Sequence, residues 1–244
     1  MKGMKTNRGN HTNPEDDLDS FSLMETAIEL PVQEEYFNLS GSIDFDNVDY
    51  TDVLRESGQL FSENTPIETK KRMLILLAHL GTPESTRILE RYLGISEGIL
   101  RDWTLLSLKE CRMFLESVLL KEESGFVSTG LGGKGNKLRY YFILSSKQGM
   151  TLTETHRKTL TKGFETISKQ YNSEIEEINY ENNYALLGIC IPMDVAVAKV
   201  IEKGIRECNR VGEFLFFHYY VTNVKKPTNE EILEYLEEIR DAQK

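Results

Sequence analysis

Two short segments constrain this chain more than anything else in it: Tyr140-Tyr141-Phe142-Ile143-Leu144 and Ala185-Leu186-Leu187-Gly188-Ile189-Cys190-Ile191. A strand with one wet face alternates apolar and polar side chains, and these two do not, so each belongs inside a sheet that is covered on both faces. The flanking residues supply the rest of the sheet. Residues 138–145 read as a first strand, and Thr151-Leu152-Thr153-Glu154 has the form of a capping box that opens a helix to about Tyr171. Residues 175–180 and 184–191 read as two strands. Between them Glu181-Asn182-Asn183 is hairpin chemistry, since asparagine tolerates the positive φ that tight hairpins demand. Asp194 is placed to cap a helix through Val195, Val197, Val200, Ile201, Ile205 and Cys208, ending near Gly212, and residues 214–221 form a last strand.

In that order the second half is strand, helix, strand, strand, helix, strand, which resembles the split βαβ arrangement of ferredoxin-like domains. The resemblance implies that strand 138–145 lies between strands 184–191 and 214–221. Two helices cover one face, so the other needs a second layer. The candidates are the helices of the first half, a partner subunit, or a terminal helix opened by the capping box Thr228-Asn229-Glu230-Glu231, with Ile232, Leu233, Tyr235, Leu236 and Ile239 as its stripe.

The first half reads as helical. Residues 1–20 mix Gly, Asn, Pro, Asp and Ser without periodicity and are expected to be disordered. Residues 21–64 scatter apolar side chains among acids, as short helical turns laid on another surface would, or an acidic segment that orders on binding. Thr65-Pro66-Ile67-Glu68 then signals a helix start, with Ile67, Met73, Leu74, Leu77 and Leu80 as its stripe and Gly81 as its stop. Thr82-Pro83 restarts a helix that ends at Gly94, and Ser96 opens a longer one through Trp103 to about Leu120. The stretch KKRMLILLAHLGTPESTRILERYL followed by LRDWTLLSLKECRMFLESVLL resembles HEAT-type helical repeats in its leucine spacing and in the tight Leu80-Gly81-Thr82-Pro83 corner. That resemblance covers about residues 65–120 and implies a binding surface. The expected architecture is therefore α+β: a HEAT-like helical unit (65–122), a glycine-rich linker (123–137), a ferredoxin-like domain (138–226) and a terminal amphipathic helix (227–244).

Charge is uneven. The net charge of −10 discourages general nucleic-acid binding, yet residues 21–66 hold ten acids against the single base Arg55, whereas residues 126–226 hold fourteen bases against ten acids. Cys111, Cys190 and Cys208 are odd in number and sit in apolar surroundings, which suits buried thiols in a reducing compartment. With no long apolar run and a polar N-terminus, the expectation is a cytoplasmic protein without a membrane segment.

Few residues carry recognisable chemistry. Gly130-Leu131-Gly132-Gly133-Lys134-Gly135-Asn136-Lys137, with Arg139 beyond, is the most unusual stretch. Lys134, Lys137 and Arg139 form a candidate anion contact, but the glycines precede a strand, whereas phosphate-cradling loops follow one, so a flexible connection is the plainer reading. Aromatic side chains on the first and last strands fit core packing better than base stacking. His11, His79, His156 and His218 make no zinc-ligand spacing with Cys or acids, and no nucleophile, base and orienting group fall together. Neither a catalytic residue, a cofactor nor a metal is expected. Trp103, the only tryptophan, reads as core between helices; partial exposure would instead favour a binding surface, for which Trp103 and Tyr92 are the candidates. The sequence therefore points to a non-enzymatic scaffold with a protein partner and no nucleic acid. The alternatives are an ACT-like sensor of a small ligand or nucleotide at a domain or homodimer interface, and an enzyme with an unrecognised site.

Overall fold

The computed structural model describes residues 21–121 and 125–242; the N-terminal stretch expected to be disordered lies outside them. The protein is mixed α+β. The first part holds α1 (Leu30–Gly41), α2 (Tyr50–Glu56), α3 (Ile67–Leu80), α4 (Pro83–Leu93) and α5 (Gly98–Leu120). Its core contains Tyr36, Leu60, Leu74, Ile75, Leu77, Leu89, Trp103 and Leu106. The 21–64 segment is thus part of this core, since α1 and α2 contribute Tyr36 and Val53 to it.

Between α3 and α4, Gly81 takes φ +55, and a Cβ there would come within 2.7 Å of Phe114 Cβ. Thr82 follows with a capping box closed by Ser85. The start of α3 differs from expectation: Pro66, not Thr65, is the N-cap, and no side chain caps it. The long α5 packs on both α3 and α4. One hairpin and a crossing helix, wrapped by α1 and α2, form a closed bundle and not a stack of HEAT-like repeats. The HEAT-like resemblance is corrected accordingly: its leucine spacing reports an apolar helical stripe, which any antiparallel hairpin on a neighbour needs.

The second part is a sheet of β3 (Gly133–Lys134), β4 (Lys137–Ser146), β5 (Glu174–Tyr180), β6 (Tyr184–Pro192) and β7 (Leu215–Thr222), with α6 (Glu154–Gln170) and α7 (Val197–Asn209). The strand order is β7-β4-β6-β5, with β3 returning on β4. Strand β4 lies between β6 and β7, as the two-sided apolarity of its residues requires; Tyr141 is opposite Gly188 on one side and Thr222 on the other. Helices α6 and α7 cover one face over Phe142, Leu144, Leu187, Ile189 and Ile191. The terminal helix α8 (Asn229–Ala242) covers part of the other, with Ile232, Tyr235 and Leu236 packed against Tyr141, Ile143 and Leu186. Its capping box is formed: Thr228 N–H donates to Glu231 Oε2 at 2.9 Å, and Glu231 N–H to Thr228 Oγ1 at 3.3 Å. Of the candidates for a second layer, the terminal helix is the one that packs on this face.

Three local details depart from the sequence reading. The box that opens α6 joins Thr153 to His156. Helix α7 has Ala196 as its N-cap, with no role for Asp194. The β5–β6 turn forms without positive φ at Asn182 or Asn183. The glycine-rich stretch differs most. Gly130, Gly132 and Gly133 are sites where a Cβ would overlap the backbone carbonyl oxygens of Val224, Glu25 and Lys137. Gly133 N–H donates to Glu25 O at 3.1 Å and Gly135 N–H to Glu25 Oε1 at 2.9 Å. A short parallel pair, β1 (Phe21–Leu23) with β2 (Gly125–Val127), extends the seam. Gly130, Gly132 and Gly133 are packed backbone where two parts of the chain meet, so they answer to space and not to looseness, whereas Gly135 has open space and answers to its φ of +60.

Candidate functional site

Spacing along α6 and α7 sorts their side chains. Leu160, Gly163, Phe164 and Ile167 of α6, and Val200, Ile201, Gly204, Ile205 and Cys208 of α7, are buried against the sheet and each other. The helices run antiparallel, because Gly163 faces Cys208 while Gly204 faces Phe164. With the apolar stripe inward, Lys158, Lys162, Lys169, Lys199, Lys203, Arg206 and Arg210 stand outward, while Arg157 lies at the side of α6. Three are held by exposed pairs within their own helix or its end: Lys158 to Glu154 (3.3 Å), Arg206 to Glu202 (3.3 Å) and Arg210 to Glu207 (2.9 Å). Arg157, Lys162, Lys169, Lys199 and Lys203 have no carboxylate partner among the described residues. Arg157 instead lies over the Tyr180 ring at 5.6 Å and donates to Glu181 O at 3.4 Å, and Lys203 lies over Tyr171 at 5.0 Å. Arg157, Lys158, Thr161, Lys162 and Tyr180, with the carboxylates Glu154 and Glu165, line an open groove beside α6.

The opposite face of the sheet, beyond the end of α8, is charged but neutralised. Arg139 donates to Glu176 through Nε (2.5 Å) and Nη2 (2.8 Å), and to Leu131 O through Nη1 at 2.7 Å. These bonds raise Arg139 above the ordinary arginine range and hold Glu176 below the ordinary carboxylate range. Lys134 pairs with Glu174. Burial would push Glu177 up, but bonds from Lys226 (2.6 Å), Tyr141 and Asn179 outweigh it and leave Glu177 lowered. Of the three residues singled out as an anion contact, Lys134 and Arg139 are thus already engaged by carboxylates, and Lys137 donates to Asn172 Oδ1 at 3.5 Å, with no carboxylate partner among the described residues. The sequence candidates for anion contact are mostly satisfied within the protein; the bases left over are on the two helices.

Trp103 is fully buried and Tyr92 is 3% exposed. As candidates for an interaction surface both are corrected: each fills the helical core, and Lys71 Nζ lies 5.0 Å from the Trp103 ring. His79 stacks on Phe45 at 3.6 Å and meets Ser40 Oγ at 3.1 Å. Burial pushes Cys190 up to about 11 and Cys208 up to about 12, so neither is a thiolate at neutral pH. No group of three His, Cys, Asp or Glu side chains among the described residues is placed to hold a metal, and none of the described helices is long and apolar enough to cross a membrane. The helical basic face went unread in the sequence, although its signal was there: the surplus of bases in residues 126–226, laid on the apolar period of two helices.

No family model and no curated protein matches this chain. Solved structures do. A presumed transposase from Deinococcus radiodurans R1 aligns with 42% of this chain and 90% of its own, at 19% identity and a TM-score of 0.37. A REP-associated tyrosine transposase bound to a REP hairpin aligns with 43% of this chain and 69% of its own, at 9% identity and a TM-score of 0.32. Against these neighbours four expectations are withdrawn: the HEAT-like recognition, the protein-interaction scaffold, the absence of enzymatic activity and the exclusion of nucleic acid. At TM-scores of this size the likeness carries no argument about activity, and the account of function has to stand on this chain's own residues.

Proposed function

We propose that the α+β part of this protein binds a nucleic-acid strand by its phosphates along the outer face of α6 and α7. One observation carries the reading. Of the bases in residues 126–226 that lack a carboxylate partner among the described residues, five (Arg157, Lys162, Lys169, Lys199 and Lys203) lie on these two helices. The pairs that remain there are exposed and local, each contributing about 0.3–0.5 kcal/mol, so phosphate can replace their acids at little cost. Tyr180 in the groove and Tyr171 beneath Lys203 offer partly exposed rings on which unpaired bases can stack. The net charge of −10 does not oppose this, because its acidic excess lies largely in residues 21–66. Their bonded contacts with the sheet part run through residues 125–135, away from the basic face. We place the boundary between the helical and α+β parts within 123–137, and the protein in a reducing cytoplasm, where three buried free thiols persist.

Titration of labelled single-stranded, hairpin and duplex DNA tests the proposal. Four or five phosphates neutralised on a single strand give a salt slope near 3, hence about a 60-fold loss of affinity between about 50 and 200 mM salt. Replacing Lys162, Lys169 and Lys203 together by Gln lowers that slope by about 2 on every sequence. An unchanged slope in the triple variant refutes the proposal.

A further inference from the structure

A cavity of about 440 Å³ lies between α8 and the sheet, lined by Ser145, Gln148, Asn183, Tyr184, Leu236 and Ile239, with Leu233, Glu237 and Arg240 at its α8 side. Its volume falls within the range of small-molecule sites. Ser145 and Tyr184 are cross-strand neighbours on β4 and β6. Ser145 is 2% exposed, and its hydroxyl has no hydrogen-bond partner among the described residues. A buried hydroxyl left unsatisfied is costly, and a ligand that bonds to it removes that cost.

We infer that this cavity takes one unpaired nucleobase of the strand held on the helical face, an inference that rests on the phosphate-binding reading above. The lining matches the chemistry of a base. An aromatic ring and two aliphatic side chains suit its faces, while the Ser145 hydroxyl and the Asn183 carboxamide, which both donate and accept, suit its edge. Arg240 and Glu237 add a donor fork and an acceptor that can choose among bases. The groove and the cavity adjoin the same hairpin. Tyr180, the last residue of β5, lines the groove, and the turn after it is tied to α6 and the residues before it, where Arg157 donates to Glu181 O and Leu152 N–H donates to Asn182 O at 2.6 Å. Asn183 of that turn and Tyr184, the first residue of β6, line the cavity.

The test pairs two ligands. A duplex with one looped-out nucleotide binds the full chain about fivefold or more tighter than the same duplex fully paired, the low end of what one stacked base contributes. Free nucleosides, which carry no phosphate, give saturable amide shifts at Ser145, Asn183 and Tyr184 at millimolar concentration, and Leu233→Trp, filling the mouth from an exposed position, abolishes them. Equal affinity for the two duplexes, with no nucleoside shifts, overturns the base-capture inference while leaving salt-dependent DNA binding intact. Shifts produced by apolar amino acids and not by nucleosides overturn it equally. Loss of salt-dependent binding to both duplexes refutes the phosphate reading instead.

Discussion

Replacing Gly132 by Ala probes how the two parts of the chain are joined. Gly132 has φ +63, and a Cβ built on it overlaps the Glu25 carbonyl oxygen and lies 2.8 Å from both the Glu25 and Thr26 carbonyl carbons. Alanine in the left-handed region costs about 1–2 kcal/mol. Pushing the Glu25 backbone aside costs about 1–3 more and breaks the Gly133 N–H to Glu25 O bond, which adds about 1. The expected destabilisation is therefore about 3–6 kcal/mol, a large share of a domain's whole stability. Two glycines serve as controls. Gly135 has φ +60 with nothing within 4 Å of its Cβ position, so alanine there costs only the conformational 1–2 kcal/mol or so. Gly212 has open space and no positive φ, so alanine there is neutral or stabilising by about 0.4–1 kcal/mol. Urea unfolding followed by Trp103 fluorescence and far-ultraviolet circular dichroism measures all three. A Gly132→Ala variant no less stable than Gly135→Ala refutes the packed seam and restores a loose linker.

Other substitutions report on the rest of the fold. Gly204→Ala places a Cβ about 2.5 Å from the Phe164 ring and should cost about 1–3 kcal/mol by forcing α6 and α7 apart, measured by the shift of the urea midpoint. Burial lowers His79 to about 4, below its unfolded value, so the unfolded chain takes up this proton first. Stability from this group is full above pH 6.5 and is lost as pH falls toward 4, with an upper bound of about 3 kcal/mol. Glu110, raised by burial, works in the opposite direction where pH falls toward the ordinary carboxylate range, so the test compares wild type with His79→Phe, in which the acid-side loss should shrink. Cys190 and Cys208, buried and raised, should resist alkylation in the native protein and react once it is unfolded; rapid native modification of either contradicts their placement.

The sheet was legible because its signals are local and redundant. Residues 140–144 and 185–191 have no polar face, and only a central position satisfies that. The terminal helix announced itself through Thr228, Glu231 and its stripe. What was not legible depends on through-space encounters. Nothing near Gly132 in sequence reveals that Glu25, more than a hundred residues earlier, occupies the room a side chain would take. Nothing around Arg139 reveals that Glu176 answers its guanidinium. A helical stripe does not say which of its members the next helix will cover, so the burial of Trp103 and Tyr92 rests on packing that their own segments do not encode. The basic helical face needed one further step, mapping the charge surplus onto the outward positions of α6 and α7 after subtracting the bases that acids elsewhere neutralise.

The most direct measurement is therefore the salt dependence of single-stranded DNA binding for three proteins: wild type, the Lys162, Lys169 and Lys203 triple Gln variant, and the Lys134→Ala, Arg139→Ala double variant. The account predicts a slope near 3 for wild type, a slope lower by about 2 for the helical variant, and a slope within about 0.5 of wild type for the double variant, whose bases are already paired. A slope that falls with Lys134 and Arg139 and not with the helical lysines contradicts it.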